Sequence, residues 1–479
     1  MMGFFVFILC VFLLIAGYVV YGRFVERVYG GNQQLEMPCV KNPDGVDYAP
    51  LPTWRVFLIQ LLNIAGLGPV VGAVSGCLFG PVALLWIVLG CILAGAMHDF
   101  LSALMCAERN GQNLPEQVGE NLGGVARYVM RFVCIFLLLM VGVVFTLLPA
   151  GMLQSIFGGA GVMFWGCVIL GYYFLATILP IQALIGRIYP FFGALFLFMA
   201  AGLAVMLPLS GYEVLPNLDL LTNGHPKGVS VWPMLFVTIA CGAISGFHAT
   251  QSPMMVRCLP KRSNMRRVFY GAMVVEGLVA LIWAVVGLSL RDVLLDGGQT
   301  MAQLTLDNPS AAVYAACREL LGEHGGRLAV LGVVVLAITS GDTAMRSCRL
   351  ILADVVHVSQ KPLLNRLALA IPLFGIVIYV SQIDFSVVWR YFGWGNQLLA
   401  CFTLWSISVC LRKRARLWLV SVLPAVFMTC MCTCFLFYAP ECGINLPLGV
   451  ATGIGAVVSG ICLLAFLYRV RRQPENGQE

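Results

Sequence analysis

The sequence predicts an all-α protein that crosses a membrane about thirteen times around an inverted five-plus-five repeat. Three observations carry that expectation. Of the 479 residues, 60% are hydrophobic and 11% charged, against about 25% charged in soluble globular chains, and the mean hydropathy is +0.91. The apolar residues fall into runs long enough to span a bilayer as helices. Two of those runs break in mid-membrane, five spans apart and traversed in opposite directions, as an inverted repeat requires.

The runs are 3–22, 54–79, 81–106, 127–150, 162–180, 186–208, 231–251, 267–290, 327–350, 364–380, 386–411, 416–438 and 446–469. The first has no basic residues before it and is followed by Arg23 and Arg27. A signal peptide shows the opposite charge order, so a retained span with its N-terminus outside is expected. Alternating the loops from there puts 24 of the 29 Lys and Arg on the cytoplasmic side, as the positive-inside rule demands, and leaves the C-terminus inside. The net charge of +7 is thus a topology signal and does not point to a nucleic-acid partner. Spans two to six and seven to eleven form a transport core over 54–411, with repeats at about 54–208 and 231–411. Residues 1–53 add a peripheral span and a cytoplasmic loop, and 412–479 add two peripheral spans and a short tail. The external loops 209–230 and 291–326 read as solvated lids. The second carries Asp292, Asp296, Asp307, Glu319 and Glu323, with a short helix expected near 310–322.

The first break is Asn63–Gly72, where Gly66, Gly68, Pro69 and Gly72 interrupt span two. Proline removes a donor and clashes with the preceding turn. Gly68, Gly72, Gly76 and Gly80 also form a small-residue stripe that suits close helix packing. The second break lies in span seven, where an apolar helix gives way to Gly246, His248, Thr250, Gln251, Ser252 and Pro253. Polar backbone at membrane depth is tolerated only where protein buries it or it lines a cavity, so Gly66, Gly68, Gly72, Gly246, His248, Gln251 and Ser252 are candidate substrate-binding residues.

Ionisable groups inside spans are costly and therefore candidates too. His98 and Asp99 lie in span three as a relay or gate, or as a polar cytoplasmic end; adjacent helical residues point about 100° apart, so the two need not pair. Glu276 sits mid-span eight, where burial favours its neutral form, which suits proton coupling; an ion pair with Arg257 or Arg346 is the structural alternative. Thr339, Ser340, Asp342 and Thr343 interrupt span nine with the makings of a hard-cation site or a proton acceptor, and a hydroxyl-stabilised kink is the plainer account. Asn396 and Gln397 lie in span eleven behind Trp389, Arg390 and Trp394 and join the substrate-binding candidates. Most of the 18 cysteines sit in apolar runs as small hydrophobes. Cys430, Cys432 and Cys434 alternate without a His or carboxylate beside them, so no metal and no cofactor is expected beyond a coupling H+ or Na+.

The segments Asn63–Gly72, Gly80–Ile87, Gly95–Asp99, Gly242–Pro253, Thr339–Arg346 and Trp389–Gln397 resemble the carbon starvation protein A (CstA) family of bacterial inner-membrane transporters. The resemblance implies uptake of peptides or pyruvate during carbon starvation, and kinship with the amino acid–polyamine–organocation superfamily. In that superfamily a cation site often lies between the first and eighth core helices, here spans two and nine, so Thr339 and Ser340 would fall beside it. The resulting expectation is a cation-coupled symporter, with the proton favoured, importing a small carboxylate-bearing nutrient. Helix N-termini at the breaks, with free amides, would hold the carboxylate, and Asp342 or Glu276 would carry the proton. The expected partners are that small molecule and the lipid bilayer. A channel or a nutrient sensor is the alternative. An enzyme is not expected, since neither H-E-x-x-H nor G-x-S-x-G occurs.

Overall fold

The computed structural model describes residues 2–29, 35–180, 185–295, 298–383, 385–414, 416–440 and 444–472; Asp296 of the second external loop lies outside them. Among the described residues the protein is all-helical, with 11 helices long and apolar enough to cross a membrane and one further bent pair, Thr53–Ala65 and Gly68–Phe79, that turns by 50°. The bent pair is span two, broken where the glycines and Pro69 predicted. The remaining expected span, span seven, is two pieces, Val231–Thr238 and Gly246–Val256. Each piece is too short to cross alone, so the eleven helices and the two broken spans, two and seven, make up the thirteen expected.

Glycine permits both breaks. Gly66 and Gly242 adopt φ of 20° and 90°, which a side chain at Cβ disfavours. The unwound segments also touch. A Cβ on Gly68 would lie 2.3 Å from Cys241 Cβ, and one on Gly72 would lie 2.8 Å from the Thr238 carbonyl oxygen. The Gly68–Gly80 stripe thus serves contact between the two broken spans as well as unwinding.

Span nine corrects the sequence reading. Pro309–Val356 departs from helical geometry at Gly322, where φ is 69°. That joint sets off an external helix, 309–321, close to the one expected. Through Thr339–Thr343 the helix is continuous. Thr339 Oγ1 donates to Val335 O at 3.0 Å and Thr343 Oγ1 to Thr339 O at 2.9 Å. The hydroxyls fold back onto their own helix instead of breaking it.

On the cytoplasmic side, residues 37–52 form a lid over the ends of the core spans. Asp44 Oδ1 accepts from the amides of Val46, Asp47 and Tyr48 at 2.8–3.0 Å, a turn that aims Asp47 inward. The Leu51 amide donates to Cys258 O at 3.0 Å, tying the lid to the end of span seven. Met37, Cys39, Ala49 and Leu51 are all buried.

Candidate functional site

A cavity of about 620 Å³ opens on the side of the 209–230 loop, the side that the charge rule places outside. Gly68, Gly72, Thr238, Ala240 and Cys241 from the two breaks line it, as do His225, Lys227, Asp307 and Arg390. The two helix breaks therefore meet at a space large enough for a small ligand.

Behind this vestibule the second break is held by span eleven. Asn396 Oδ1 accepts from the Phe247 amide at 2.7 Å and from Ser245 Oγ at 3.0 Å, and Gln397 Nε2 donates to the Phe236 carbonyl at 2.8 Å. Gly246 lets the segment approach, since a Cβ there would lie 2.3 Å from the Ala400 nitrogen. The amide expected to be free for a carboxylate is thus already capped by a side chain. The first break is held likewise. Ser340 Oγ accepts from the Gly66 amide at 3.1 Å and donates to Leu62 O at 3.2 Å, and Thr339 Oγ1 lies 3.0 Å from the same carbonyl. Asn396→Ala would leave the buried Phe247 amide and Ser245 hydroxyl without partners. We expect a loss of about 1–3 kcal/mol for an unsatisfied buried group, read as a lower unfolding temperature of the purified protein and weaker substrate binding.

Two buried acid clusters flank the breaks. In the first, Asp99 stands between two imidazoles, with His98 Nδ1 at 2.8 Å from Oδ1 and His248 Nδ1 at 2.8 Å from Oδ2. His98 and Asp99, expected not to need each other, do pair, because rotation about their side-chain bonds closes the angle that the helix opens. On its other edge, His248 Nε2 faces Glu276 Oε2 at 3.4 Å. All four side chains are fully buried. Neither suggested arginine reaches Glu276. Arg257 donates to Gly111 O at 2.8 Å and Asn113 Oδ1 at 3.1 Å, and Arg346 pairs with Asp47.

The second cluster surrounds Asp342. Tyr172 Oη donates to Oδ2 at 2.7 Å. The Tyr189 hydroxyl lies 2.9 Å from Oδ1, 3.1 Å from Asn63 Oδ1 and 3.0 Å from the Thr339 carbonyl oxygen. Span nine's carboxyl is thereby linked to spans two, five and six.

Beneath both clusters, span nine meets the 37–52 lid through two arginines. Arg346 Nη1 meets Asp47 Oδ1 at 2.8 Å, and Arg349 Nη2 meets Oδ2 at 3.5 Å. Arg346 also donates to the carbonyls of Ala176 and Leu179. Burial pushes the Asp47 carboxyl up, but the guanidiniums of Arg346, Arg349 and Arg257 outweigh it and hold it below the usual carboxylate range.

Of the expected substrate residues, Gly68 and Gly72 line the vestibule. Gly66, Gly246, Asn396 and Gln397 shape the breaks. His248, Gln251 and Ser252 lie buried behind the floor; Gln251 Nε2 donates to Thr250 Oγ1 at 2.9 Å and Ser252 Oγ to His248 O at 3.1 Å. Of the coupling candidates, His98, Asp99 and Glu276 gather with His248, while Thr339, Ser340 and Asp342 gather at span two. Thr343 faces its own helix. The alternating Cys430, Cys432 and Cys434 form no metal-type group among the described residues; Cys432 instead lies 3.7 Å from Cys401. Sequence reading missed Asp47, Tyr172, Tyr189 and Cys241. Arginines at 346 and 349 inside an apolar run were a signal that an unseen acid must reach them.

A family model described as "Carbon starvation protein CstA" matches residues 2–164, 152–317 and 311–435. The "Peptide transporter CstA" of Campylobacter jejuni is 26% identical over 550 residues, spanning 88% of this chain and 77% of that protein. The "Pyruvate/proton symporter BtsT" of Escherichia coli is 28% identical over 314 residues, spanning 51% of this chain and 43% of that protein. Among solved structures, the nucleobase-cation-symport-1 family transporter Mhp1, in a closed conformation with bromovinylhydantoin bound, superposes with a TM-score of 0.56 at 14% identity, over 91% of this chain and 97% of that one. That likeness establishes the fold. Eleven or more membrane-crossing helices and these relatives identify a multi-pass protein of the bacterial inner membrane with the character of a transporter. The family match runs through nearly all of the spans, and the chain belongs to the carbon starvation protein CstA family.

Proposed function

We propose that this protein is a proton-coupled secondary transporter that imports a small carboxylate-bearing nutrient, in the class of pyruvate or short peptides, when carbon is scarce. The observation that carries the reading is the vestibule: its floor touches both helix breaks, and the cations Lys227 and Arg390 line it against the single carboxylate of Asp307. A cleft lined by one sign of charge concentrates ligands of the other. A carboxylate is common to the substrates named for the two relatives described above.

The substrate rests on the floor at Gly68, Gly72, Thr238 and Cys241, where the two broken spans meet. Asn396, Gln397, Gln251 and Ser252 support the break from behind. Asp342 carries the coupling proton. Its acceptor bonds from Tyr172 and Tyr189 and the shared contact with Asn63 tie its protonation to the packing of spans two, five and six. Rocking of the repeats, about 54–208 and 231–411, then exposes the floor to either side in turn. Residues 1–53 and 412–479 stay peripheral to that motion, apart from the lid.

The test is uptake into proteoliposomes of labelled pyruvate and of a labelled dipeptide, each under an imposed proton or sodium gradient. Concentration of one of them with the proton gradient alone is expected. Concentration driven only by sodium would move coupling to Thr339, Ser340 and the Leu62 carbonyl. Saturable binding of either compound without accumulation would make the protein a sensor.

A further inference from the structure

The floor of the vestibule also brings Cys241, one of its lining residues, together with two buried side chains that the transport reading leaves without a task. Cys241 Sγ, a ring nitrogen of His248 and a Glu276 carboxylate oxygen all lie within 4.8 Å of one another, and all three residues are buried. We propose that Cys241, His248 and Glu276 form a binding site for a borderline-soft divalent transition-metal ion, with Zn2+ as its probe.

Four features support the site. The first is distance. Zinc binds nitrogen and oxygen at about 2.0–2.2 Å and sulfur at about 2.3 Å, so tetrahedral ligand atoms stand about 3.3–3.8 Å apart. His248 Nε2 and Glu276 Oε2 already stand 3.4 Å apart, and side-chain rotation of about 1 Å draws in the sulfur. The second is unused donor capacity. Beyond their mutual 3.4 Å contact, His248 Nε2 and the Glu276 oxygens make no hydrogen bond of normal geometry, although a buried polar group usually does. The third is orientation. A metal-binding histidine almost always donates its other ring N–H to a carboxylate, a backbone carbonyl or water, which fixes the tautomer and turns the lone pair to the metal. His248 Nδ1 lies 2.8 Å from Asp99 Oδ2, and His98 holds the other oxygen of Asp99 at 2.8 Å. The fourth is access, because Cys241 lines the vestibule.

The donor set fixes the class of ion. A thiolate beside an imidazole selects zinc-like ions over magnesium or calcium, which take oxygen. Binding replaces the thiol S–H bond by an S–Zn bond, and the proton leaves to vestibule water. Three protein ligands leave the fourth tetrahedral position for water or a carboxylate. The ion ties both ends of the span-seven break, Cys241 and His248, to Glu276 on Gly271–Ser289. Zn2+ in the outer medium therefore holds the floor still and slows uptake.

Purified protein in detergent, reduced and free of chelator, is titrated with Zn2+ by calorimetry and with Cd2+ by thiolate-to-metal charge-transfer absorption. One ion per chain with a cadmium–thiolate band is expected. Cys241→Ser should abolish the band and weaken binding at least about tenfold, and Asp99→Asn should weaken it about 10–100-fold while keeping the band. Cys167→Ser, at an exposed cysteine, should change neither. Thermal unfolding confirms that each variant is folded; Ser and Asn match the shape of the residues they replace. Native-like affinity and a persistent band in a folded Cys241→Ser protein overturn the proposal, as does cadmium binding with no thiolate band in the native protein.

Discussion

Asp342→Asn abolishes uptake against a gradient while exchange of labelled for unlabelled substrate continues at a reduced rate. Asparagine keeps the shape of aspartate, and its Oδ1 still accepts from one of the two tyrosines. Its amide faces the other hydroxyl, which has lone pairs to accept with. The Tyr172–Asp342–Tyr189 cage therefore persists, and with it the packing of spans two, five, six and nine. The variant lacks a carboxyl that takes a proton on one side of the membrane and releases it on the other. Accumulation in proteoliposomes should collapse to the equilibrium ratio, whereas counterflow, which needs only rocking and binding, retains a measurable fraction. Equal loss of both would assign Asp342 a structural role. Tyr189→Phe removes one hydroxyl from the cage without touching the carboxyl, and it should slow transport without uncoupling it.

Asp47→Ala opens the cytoplasmic lid. The substitution leaves Arg346 and Arg349 buried without their counter-ion. Breaking a buried pair from one side costs about 3–5 kcal/mol, because the stranded charge keeps its desolvation penalty. Arg346 retains the carbonyls of Ala176 and Leu179, so the lid should be lost before the core helices. Cys258, fully buried beneath the lid, gives the readout. A membrane-impermeant maleimide applied to the cytoplasmic face should label it in Asp47→Ala and spare it in the native protein. Asp47→Glu should restore partial protection. An unlabelled Cys258 in Asp47→Ala would remove Asp47 from any sealing role. The pH dependence follows from the sign of the shift. The Asp47 carboxyl is depressed in the folded protein, so the pair stabilises the lid at every pH above the ordinary aspartate value of about 3.9. That stability is lost only as pH falls through the lower folded value. Protection of Cys258 should hold between about pH 5 and 8, and any pH optimum of transport in that range belongs elsewhere.

The sequence made the breaks visible because glycine and proline change what the backbone can do, and that signal is local. The pairing of the two breaks was legible from their spacing. Partners brought from afar were not. Asp47 lies in an ordinary polar turn, and its importance comes from two arginines about 300 positions away. Tyr172 and Tyr189 sit in apolar runs where tyrosine looks like packing. Thr339–Thr343 was misread as an interruption because hydroxyls at membrane depth suggest an open backbone; in the structure they bond within the helix or to Leu62. His98 and Asp99 were separated by helix geometry alone, which ignores how far two flexible side chains can turn toward each other. The capped amide at Phe247 escaped notice for the same reason as Asp47: its cap arrives from span eleven.

That capping has an electrical consequence. A bacterial inner membrane stores energy as a voltage, and any carrier with a water-filled gap at its centre would drain it. The Gly66 and Phe247 amides are satisfied by Ser340 and Asn396, and the Phe236 carbonyl by Gln397, so at these points the discontinuous helices bond to protein and do not call for water. Each break that protein side chains satisfy is one less place where water would be drawn into the membrane and carry that voltage away.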